Sequence, residues 1–412
     1  MDLEGPWQAA ARGAHLWVDG VAQPTVFARM SARAAALGAM NLGQGFPDTA
    51  PPPVVAETAQ RNIREGVNQY PPGPGRPELR AAIARHQERF YALAWDPGSE
   101  VLVTTGATEA IAAAILALVR PGDEVVTLEP FYDSYAATIA LAGGVHRTVP
   151  FEVRCTDGEL SLSVAPHALR EAVTDATRLI LLNSPHNPTG AVLGREVLEA
   201  LVEAACAHDA IIVSDEVYEH LTFAASHVPV ATLPGARERT ITIGSAGKTL
   251  SVTGWKIGWV TAVPELVAAV TGVKQWLTFT SGAPFQGAVA RGLELPEAQY
   301  AAIADDLARR RDLLVDTLRG IGAHVAVPEA GYFVLADLSP LGEDDATALC
   351  ERLPEEAGVV AIPVAAFCHD DAAGGHASQY RSLVRFAFCK DDATLAEAAR
   401  RLGAWARGRR GA

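Results

Sequence analysis

The 34 basic residues include only four lysines, Lys248, Lys256, Lys274 and Lys390. In a chain whose cations are otherwise arginine, a retained lysine is expected where an amine does what a guanidinium cannot. Lys248 and Lys256 share the segment Ser245-Ala-Gly-Lys248-Thr-Leu-Ser-Val-Thr-Gly254-Trp-Lys256. A strand ending at Ser245 would present Lys248 above the carboxyl edge of a parallel sheet, where ligands of open α/β sheets sit. A desolvated lysine there has a lowered pKa and forms imines with aldehydes. Ser245 and Lys256 add a hydroxyl and a second cation, a pair suited to phosphate. A solvated loop with two surface lysines explains the same segment equally well.

Other segments offer matching parts, each with an ordinary alternative. In Asn183-Ser-Pro-His-Asn187-Pro-Thr-Gly190, Asn187 is placed to donate its amide to a phenolate-like oxygen, although Asn-Pro and Thr-Gly also mark a plain turn. Ile211-Ile-Val-Ser-Asp215-Glu-Val-Tyr218 ends an apolar run in acids. A buried carboxylate needs a cation, and a protonated pyridine nitrogen is one; a helix N-cap is the other use of Asp215. Tyr218 is in reach of the same ring's oxygen. Thr105-Gly-Ala107-Thr108-Glu109 joins a strand to a helix whose first N–H groups, at Ala107 and Thr108, suit an anion. Tyr132, in Glu129-Pro-Phe-Tyr132-Asp, fits as the cover of a flat ring or as a core aromatic. Arg385, in Val384-Arg-Phe-Ala-Phe388, faces away from the phenylalanines and carries a fork matched to a carboxylate, or lies on a half-exposed strand. No HExxH or GxSxG motif occurs, so no metal site and no hydrolase elbow is expected.

The elements that must position these groups follow from apolar periodicity. Strands are expected at Val101–Thr105, Glu124–Leu128, Val145–Val149, Arg178–Asn183, Ile211–Asp215, Thr240–Ser245 and Trp255–Ala262. Helices lie between several of them, as at Thr108–Val119 and Arg195–Ala207. That alternation predicts a mostly parallel sheet covered by helices. Beyond residue 295 a long helix (Pro296–Leu318) leads to strands at Tyr332–Leu338, Val359–Ile362 and Val384–Phe388 and a last helix from Asp391, an α+β region. The expected division is an N-terminal arm and connecting segment (1–50), a large domain (51–295) and a small C-terminal domain (296–412).

Bulk properties narrow the function classes. A chain that is 49% apolar and 20% charged builds a normal globular core. The net charge of -14 argues against a nucleic-acid partner. Five scattered cysteines without a CxxC pair fit free thiols in a reducing compartment. The amino terminus lacks a basic stretch followed by an apolar run, and no apolar stretch reaches the ~18 residues of a membrane span. A cytoplasmic location is the default expectation.

The order GATEA, EPFYDSY, NSPHNPTG, SDEVYEH, SAGKTLSVTGWKIGW and VRFAFCKDD resembles the class I aminotransferases of pyridoxal-phosphate fold type I, from about Val26 to Leu402. NLGQGFPD, GVNQY and AAFC are similar to the kynurenine/glutamine/methionine transaminase branch. NQYPPGPG, GAPFQ and LPEEAGVVAIP resemble N-succinyldiaminopimelate aminotransferases. The resemblance implies an aspartate-aminotransferase-like fold and pyridoxal 5'-phosphate carried on Lys248 as a Schiff base. Asp215 would pair with the ring nitrogen, Asn187 and Tyr218 with the ring oxygen. Ser245, Lys256 and the backbone of Ala107 and Thr108 would bind phosphate, and Tyr132 would stack on the ring. Arg385 and Gly45, with Asn187, would hold the substrate α-carboxylate, and Phe27 would line the side-chain pocket. Tyr70 would reach the phosphate of a neighbouring subunit, which makes a homodimer the working unit. The implied activity is a ping-pong transfer of an amino group from an amino acid to a 2-oxo acid. The alternatives are a cysteine-conjugate β-lyase using the same carbon acid, and a cofactor-binding regulator, which would need a basic DNA-binding segment that the short N-terminal arm leaves little room for.

Overall fold

The computed structural model describes residues 5–410. Seven strands form its larger sheet: β1 (Val101–Thr105), β2 (Glu124–Glu129), β3 (Val145–Pro150), β4 (Thr177–Asn183), β5 (Ile211–Asp215), β6 (Thr240–Ser245) and β7 (Ile257–Thr261). Their order across the sheet is β1-β7-β6-β5-β4-β2-β3. Every neighbouring pair from β6 to β3 is parallel, and β7 alone runs antiparallel to both its neighbours.

Each central strand is apolar on both faces, so its alternate residues feed two cores. Leu179, Leu181, Val213, Ile241 and Ile243 pack with Ile111, Ala114 and Ile115 of the helix Gly106–Leu118. Ile180, Leu182 and Ile212 pack on the other side with Leu198 and Leu201 of the helix Arg195–Ala207. Burial of each such side chain is worth roughly 1.5–3 kcal/mol. Polar side chains are thereby driven to the strand ends, where Thr105, Asn183, Asp215 and Ser245 share one edge. Because β7 is antiparallel, it starts at that edge: Ile257 pairs with Thr105. Lys256, one residue earlier, is thus delivered beside the start of the helix Gly106–Leu118.

The second sheet has six strands in the order Ile362–Pro363, Leu383–Ala387, Phe333–Asp337, His324–Ala326, Glu159–Ser163, Glu152–Thr156. The helices Glu297–Ile321 and Asp392–Arg410 cover it through Leu307, Leu314, Leu318, Leu395 and Leu402. Arg385 sits on its Leu383–Ala387 strand.

Several bounds differ from expectation for local reasons. The strand expected from Trp255 begins at Ile257, because Thr253–Trp255 is a 3-10 turn and Lys256 has a left-handed φ of 54°. Val359–Ile362 is two short strands: Val359–Val360 pairs in parallel with Met40–Asn41, and Ile362–Pro363 pairs with the strand of Arg385. The hairpin Glu152–Ser163 had no counterpart among the expected strands. Its arms do alternate, with Val153, Leu160 and Leu162 turned to the second sheet's core, but most of its residues are exposed and it lacks the apolar run that marks the buried strands.

Candidate active site

A cavity of about 220 Å³ opens at the polar edge of the larger sheet, lined by residues that include Ala107, Thr108, Tyr132, Asn187, Asp215, Tyr218, Ser245, Lys248 and Lys256. The strand ends and the reversal of β7 bring these together from segments spread over 150 positions. Lys248 lies on the single helical turn Ala246–Thr249 that follows β6. Its Nζ is 3.4 Å from the Gly45 carbonyl and 5.7 Å and 5.8 Å from the ring centres of Tyr218 and Tyr332. Burial lowers its pKa, an effect that Asp215 partly offsets and that Arg385 and Lys256 reinforce. The Tyr332 hydroxyl donates to the Lys248 carbonyl at 2.6 Å and fixes the turn from below.

Asp215 ends β5 almost fully buried. Its Oδ2 accepts from the Tyr135 hydroxyl at 2.6 Å, and desolvation pushes its pKa up to about 6 against the opposing pull of Tyr135, Val217 N–H and Lys248. A carboxylate so placed calls for a cationic partner inside the cavity. Asn183 sets the surrounding loop: its amide donates to the Asp215 carbonyl at 2.8 Å, while its Oδ1 accepts from the Asn187 backbone at 2.8 Å.

Arg385 is 1% exposed and enters from the second sheet. Nη1 donates to Asn187 Oδ1 at 3.0 Å and Nη2 to the Gly43 carbonyl at 2.7 Å. The guanidinium is caged by the rings of Phe333, Phe367 and Phe27, at 3.9, 4.6 and 5.2 Å. Its Nε has no partner, and burial pushes its pKa down to about 10. A buried fork with a bare N–H is a receptor for an anion such as a carboxylate. Since Asn187 Oδ1 accepts from Arg385, its Nδ2 is the end left to donate elsewhere. Gly45 lies so close to Phe333 that a Cβ there would meet the ring at 2.3 Å.

At the phosphate-sized end, Ser245, Lys256 and the first turn of the helix Gly106–Leu118 face one another. Gly258 makes this approach possible: a Cβ there would meet the Gly106 carbonyl carbon at 2.6 Å and the Ala107 nitrogen at 2.7 Å. Tyr132 flanks the cavity, hydrogen-bonded to Thr108, with its pKa pushed up to about 12, chiefly by burial. Burial likewise pushes the Tyr218 hydroxyl up, so both phenols are donors at neutral pH. Of the expected site residues, Arg385, Gly45 and Phe27 are not in the cavity lining but connect to it through Asn187, Lys248 and Arg385 respectively, and Tyr70 stands apart. It is 81% exposed, packs edge-on to Phe279 at 5.5 Å, and is not among the residues lining this chain's own cavity.

Tyr135, Asn183, Tyr332, Phe333 and Phe367 also build the site; Tyr135, Asn183 and Phe367 lie within the motifs EPFYDSY, NSPHNPTG and AAFC without a role expected of them, and Tyr332 and Phe333 lie in none. Tyr135 had a local signal, since it lies three residues after Tyr132 on a helix. The others act through contacts between distant segments.

The pattern of the family described as aminotransferase class I and II matches residues 38–402. A probable N-succinyldiaminopimelate aminotransferase of Mycobacterium tuberculosis is 52% identical over 383 residues, covering 92% of this chain and 95% of that protein. The solved structure of N-succinyldiaminopimelate aminotransferase from Mycobacterium tuberculosis superposes with a TM-score of 0.88 at 51% identity, covering 93% of this chain and 97% of that one. Methionine aminotransferase of Escherichia coli is 39% identical over 379 residues, or 92% of this chain and 95% of the relative. Kynurenine–oxoglutarate transaminase 3 of Mus musculus is 38% identical over 388 residues, or 89% and 84%. The architecture is that of the fold type I aminotransferases, as the motif order implied. With the family pattern spanning nearly the whole chain and a strand-edge cavity built from its motifs, the chain belongs to the class I and II aminotransferases and is an aminotransferase.

Proposed function

We propose that the enzyme works with pyridoxal 5'-phosphate carried on Lys248 and transfers amino groups by a ping-pong route between an amino acid and a 2-oxo acid. The observation that carries this reading is one cavity lined by a desolvated amine, a buried carboxylate in want of a cation and a helix start that Gly258 lets approach, with the Arg385 guanidinium, which keeps a bare N–H, bonded to the lining residue Asn187. Those residues fit the cofactor's aldehyde, ring nitrogen and phosphate, and a substrate carboxylate. When bound, the cofactor supplies an aldehyde that condenses with amines and a protonated ring that delocalises the electron pair left at Cα.

The chain's own residues do the rest. Lys248 Nζ would hold the cofactor's aldehyde and, once the substrate amine has displaced it, would be free to take the proton from the substrate's Cα and hold it for return. Its burial favours the neutral amine that a base must be. Asp215 keeps a proton on the ring nitrogen, with Tyr135 and Val217 N–H holding the carboxylate in place. Asn187 Nδ2 and the Tyr218 hydroxyl donate to the ring oxygen, and Tyr132 covers the ring. Ser245, Lys256 and the N–H groups of Ala107 and Thr108 bind phosphate at a helix start. Arg385, Asn187 and the backbone at Gly45 orient the α-carboxylate, and Phe27 borders the side-chain pocket.

The proposal extends to assembly and location. Tyr70, Trp276, Leu277 and Phe279 are exposed together at 81%, 82%, 46% and 52%, a surface suited to a homodimer in which Tyr70 serves the neighbouring subunit's site. Two sheets with separate cores support a large cofactor-binding domain (51–295) and a small one (296–412), with the hairpin Glu152–Ser163 reaching across to the second sheet. Among the described residues no helix is long and apolar enough to cross a membrane, and the five cysteines are unpaired, in keeping with a cytoplasmic enzyme.

For the donor we propose an N-succinyldiaminopimelate-type amino acid with 2-oxoglutarate as acceptor, on the strength of 52% identity against 39% and 38% for the methionine and kynurenine enzymes. The second reading, a methionine- or kynurenine-type donor with β-lyase side activity, draws on the aromatic rings of Phe27, Phe333 and Phe367 around Arg385. A half-reaction panel separates them: the loaded enzyme is mixed with N-succinyldiaminopimelate, methionine, kynurenine, glutamine or glutamate while the cofactor's visible absorbance is followed. The fastest change is expected with the succinylated donor. No change with it, alongside a change with methionine or kynurenine, overturns the first reading in favour of the second.

A further inference from the structure

A second cluster of titratable side chains lies outside the cavity, between the helix Pro77–Tyr91 and the turn that follows β5. His86 and Glu219 are buried and His220 is half-buried, and one ligand atom from each lies within 4.8 Å of the others. The His86 and His220 Nε2 atoms face each other at 2.6 Å. Only one of two neutral imidazoles can carry the proton between them, so this contact leaves the other nitrogen a lone pair turned to the same point. Glu219 is met by neutral donors, the Gln87 amide at 3.4 Å and the Tyr91 hydroxyl. No arginine or lysine forms an ion pair with it among the described residues. The Gln87 amide reaches into the cluster through Nε2, yet its Oε1 has no donor, and neither has His86 Nδ1 a partner; both residues are 2% exposed. The nearby Arg89 is turned to the Phe90 ring, 4.4 Å away, and to the Leu293 carbonyl.

We propose that His86, Glu219 and His220 form a site for one divalent transition-metal ion of the zinc class. Two imidazoles and a carboxylate with a fourth position for water are the donor set and number such ions take. Ligand distances of about 2.0–2.1 Å require the two nitrogens to part by under about 1 Å, which half-buried His220 on a turn can accommodate. The bound water then gives Gln87 Oε1 its missing donor, and the ion gives Glu219 its missing cation. His220 opens the site to solvent. The ligands come from segments 134 positions apart, which is why no local spacing such as HExxH announces them. The ion would clamp the turn between Asp215 and His220, which carries Tyr218, to the helix Pro77–Tyr91. The proposal is independent of the substrate and of the chemistry at Lys248.

The test uses the cofactor-loaded enzyme, treated with a chelator and titrated with Co²⁺, whose visible d–d absorbance reports low-coordinate nitrogen and oxygen sites. The expected result is a band saturating at one ion per chain, displaced by Zn²⁺, with a melting temperature that rises on Zn²⁺ addition. His220→Gln and Glu219→Gln should each lose the band, while His208→Gln, at a surface histidine paired with Asp175, keeps it. Cofactor absorbance of each variant confirms that it is folded; if Glu219→Gln fails to fold, His220→Gln decides alone. A band unchanged in His220→Gln, or no saturable Co²⁺ binding to the unsubstituted enzyme, overturns the proposal and leaves the cluster a hydrogen-bond network.

Discussion

Arg385 is held at a cost, and replacing it with glutamine exposes both the cost and its purpose. Burial among three phenylalanine rings pushes the guanidinium well below its ordinary range, to about 10, an order-of-magnitude penalty of roughly 3 kcal/mol. Glutamine removes the buried charge and keeps a donor for either Asn187 Oδ1 or the Gly43 carbonyl. The lost hydrogen bonds, roughly 1.5–3 kcal/mol for each one made by a charged group, approximately offset the relieved desolvation. The melting temperature of Arg385→Gln should therefore move by no more than a few degrees. Catalysis should not be spared. Leaving a substrate carboxylate buried without its cation costs about 3–5 kcal/mol, or roughly 10²- to 10⁴-fold in kcat/KM. Steady-state kinetics on the preferred amino acid and on the matching amine without a carboxylate distinguish the two contributions. The amino acid should lose this factor and the amine almost nothing, so that discrimination between them collapses. An amino-acid kcat/KM within fivefold of the unsubstituted enzyme, or an equal loss on both substrates, would refute the assignment.

Asp215 gives a pH signature. Its folded pKa of about 6 lies above the unfolded value of 3.8, so its protonated form stabilises the cofactor-free protein below about pH 4. That contribution, about 3 kcal/mol, is lost as pH rises to 6. Melting of cofactor-free enzyme across this window should show the loss, Asp215→Asn should lack it, and the cofactor's cationic ring should abolish it. In Gly258→Ala the new Cβ meets the backbone of Gly106 and Ala107 at 2.6 and 2.7 Å and spreads the phosphate cup. Cofactor affinity, measured by fluorescence titration, should fall more than tenfold, and an unchanged Kd would place phosphate elsewhere. Sedimentation of the enzyme should give a dimer, and Tyr70→Phe should weaken cofactor binding while leaving the melting temperature of a dissociated chain unaltered.

How much of this was legible beforehand depended on the range of the interactions. β1, β5 and β6 have the bounds expected from their apolar runs, because each is buried on both faces and no local rule competes. β7 starts late because Lys256 takes a left-handed backbone to reach the phosphate cup, a demand that strand propensity does not encode. The hairpin Glu152–Ser163 carries a period-two alternation of Val153, Cys155, Leu160 and Leu162 with polar residues, but its arms are short and largely exposed, without the continuous apolar run of the buried strands. Within the site, Lys248, Asp215, Asn187 and Arg385 stand in motifs that name their chemistry. Phe333 and Phe367 do not, because a ring caging a guanidinium has the same sequence appearance as a ring in the core. Lys248 alone read equally well as a solvated loop residue; its neighbours at the other strand ends supply the distinction.

The central claim is that Lys248 carries the cofactor, and the chain's four lysines make it directly testable. Borohydride reduction of the loaded enzyme, followed by peptide mapping by mass spectrometry, places the pyridoxyl group on a specific residue. Label is expected on Lys248 and none in Lys248→Ala, which should also be inactive. Label on Lys256, Lys274 or Lys390 in the unsubstituted enzyme, or turnover retained in Lys248→Ala, would contradict it.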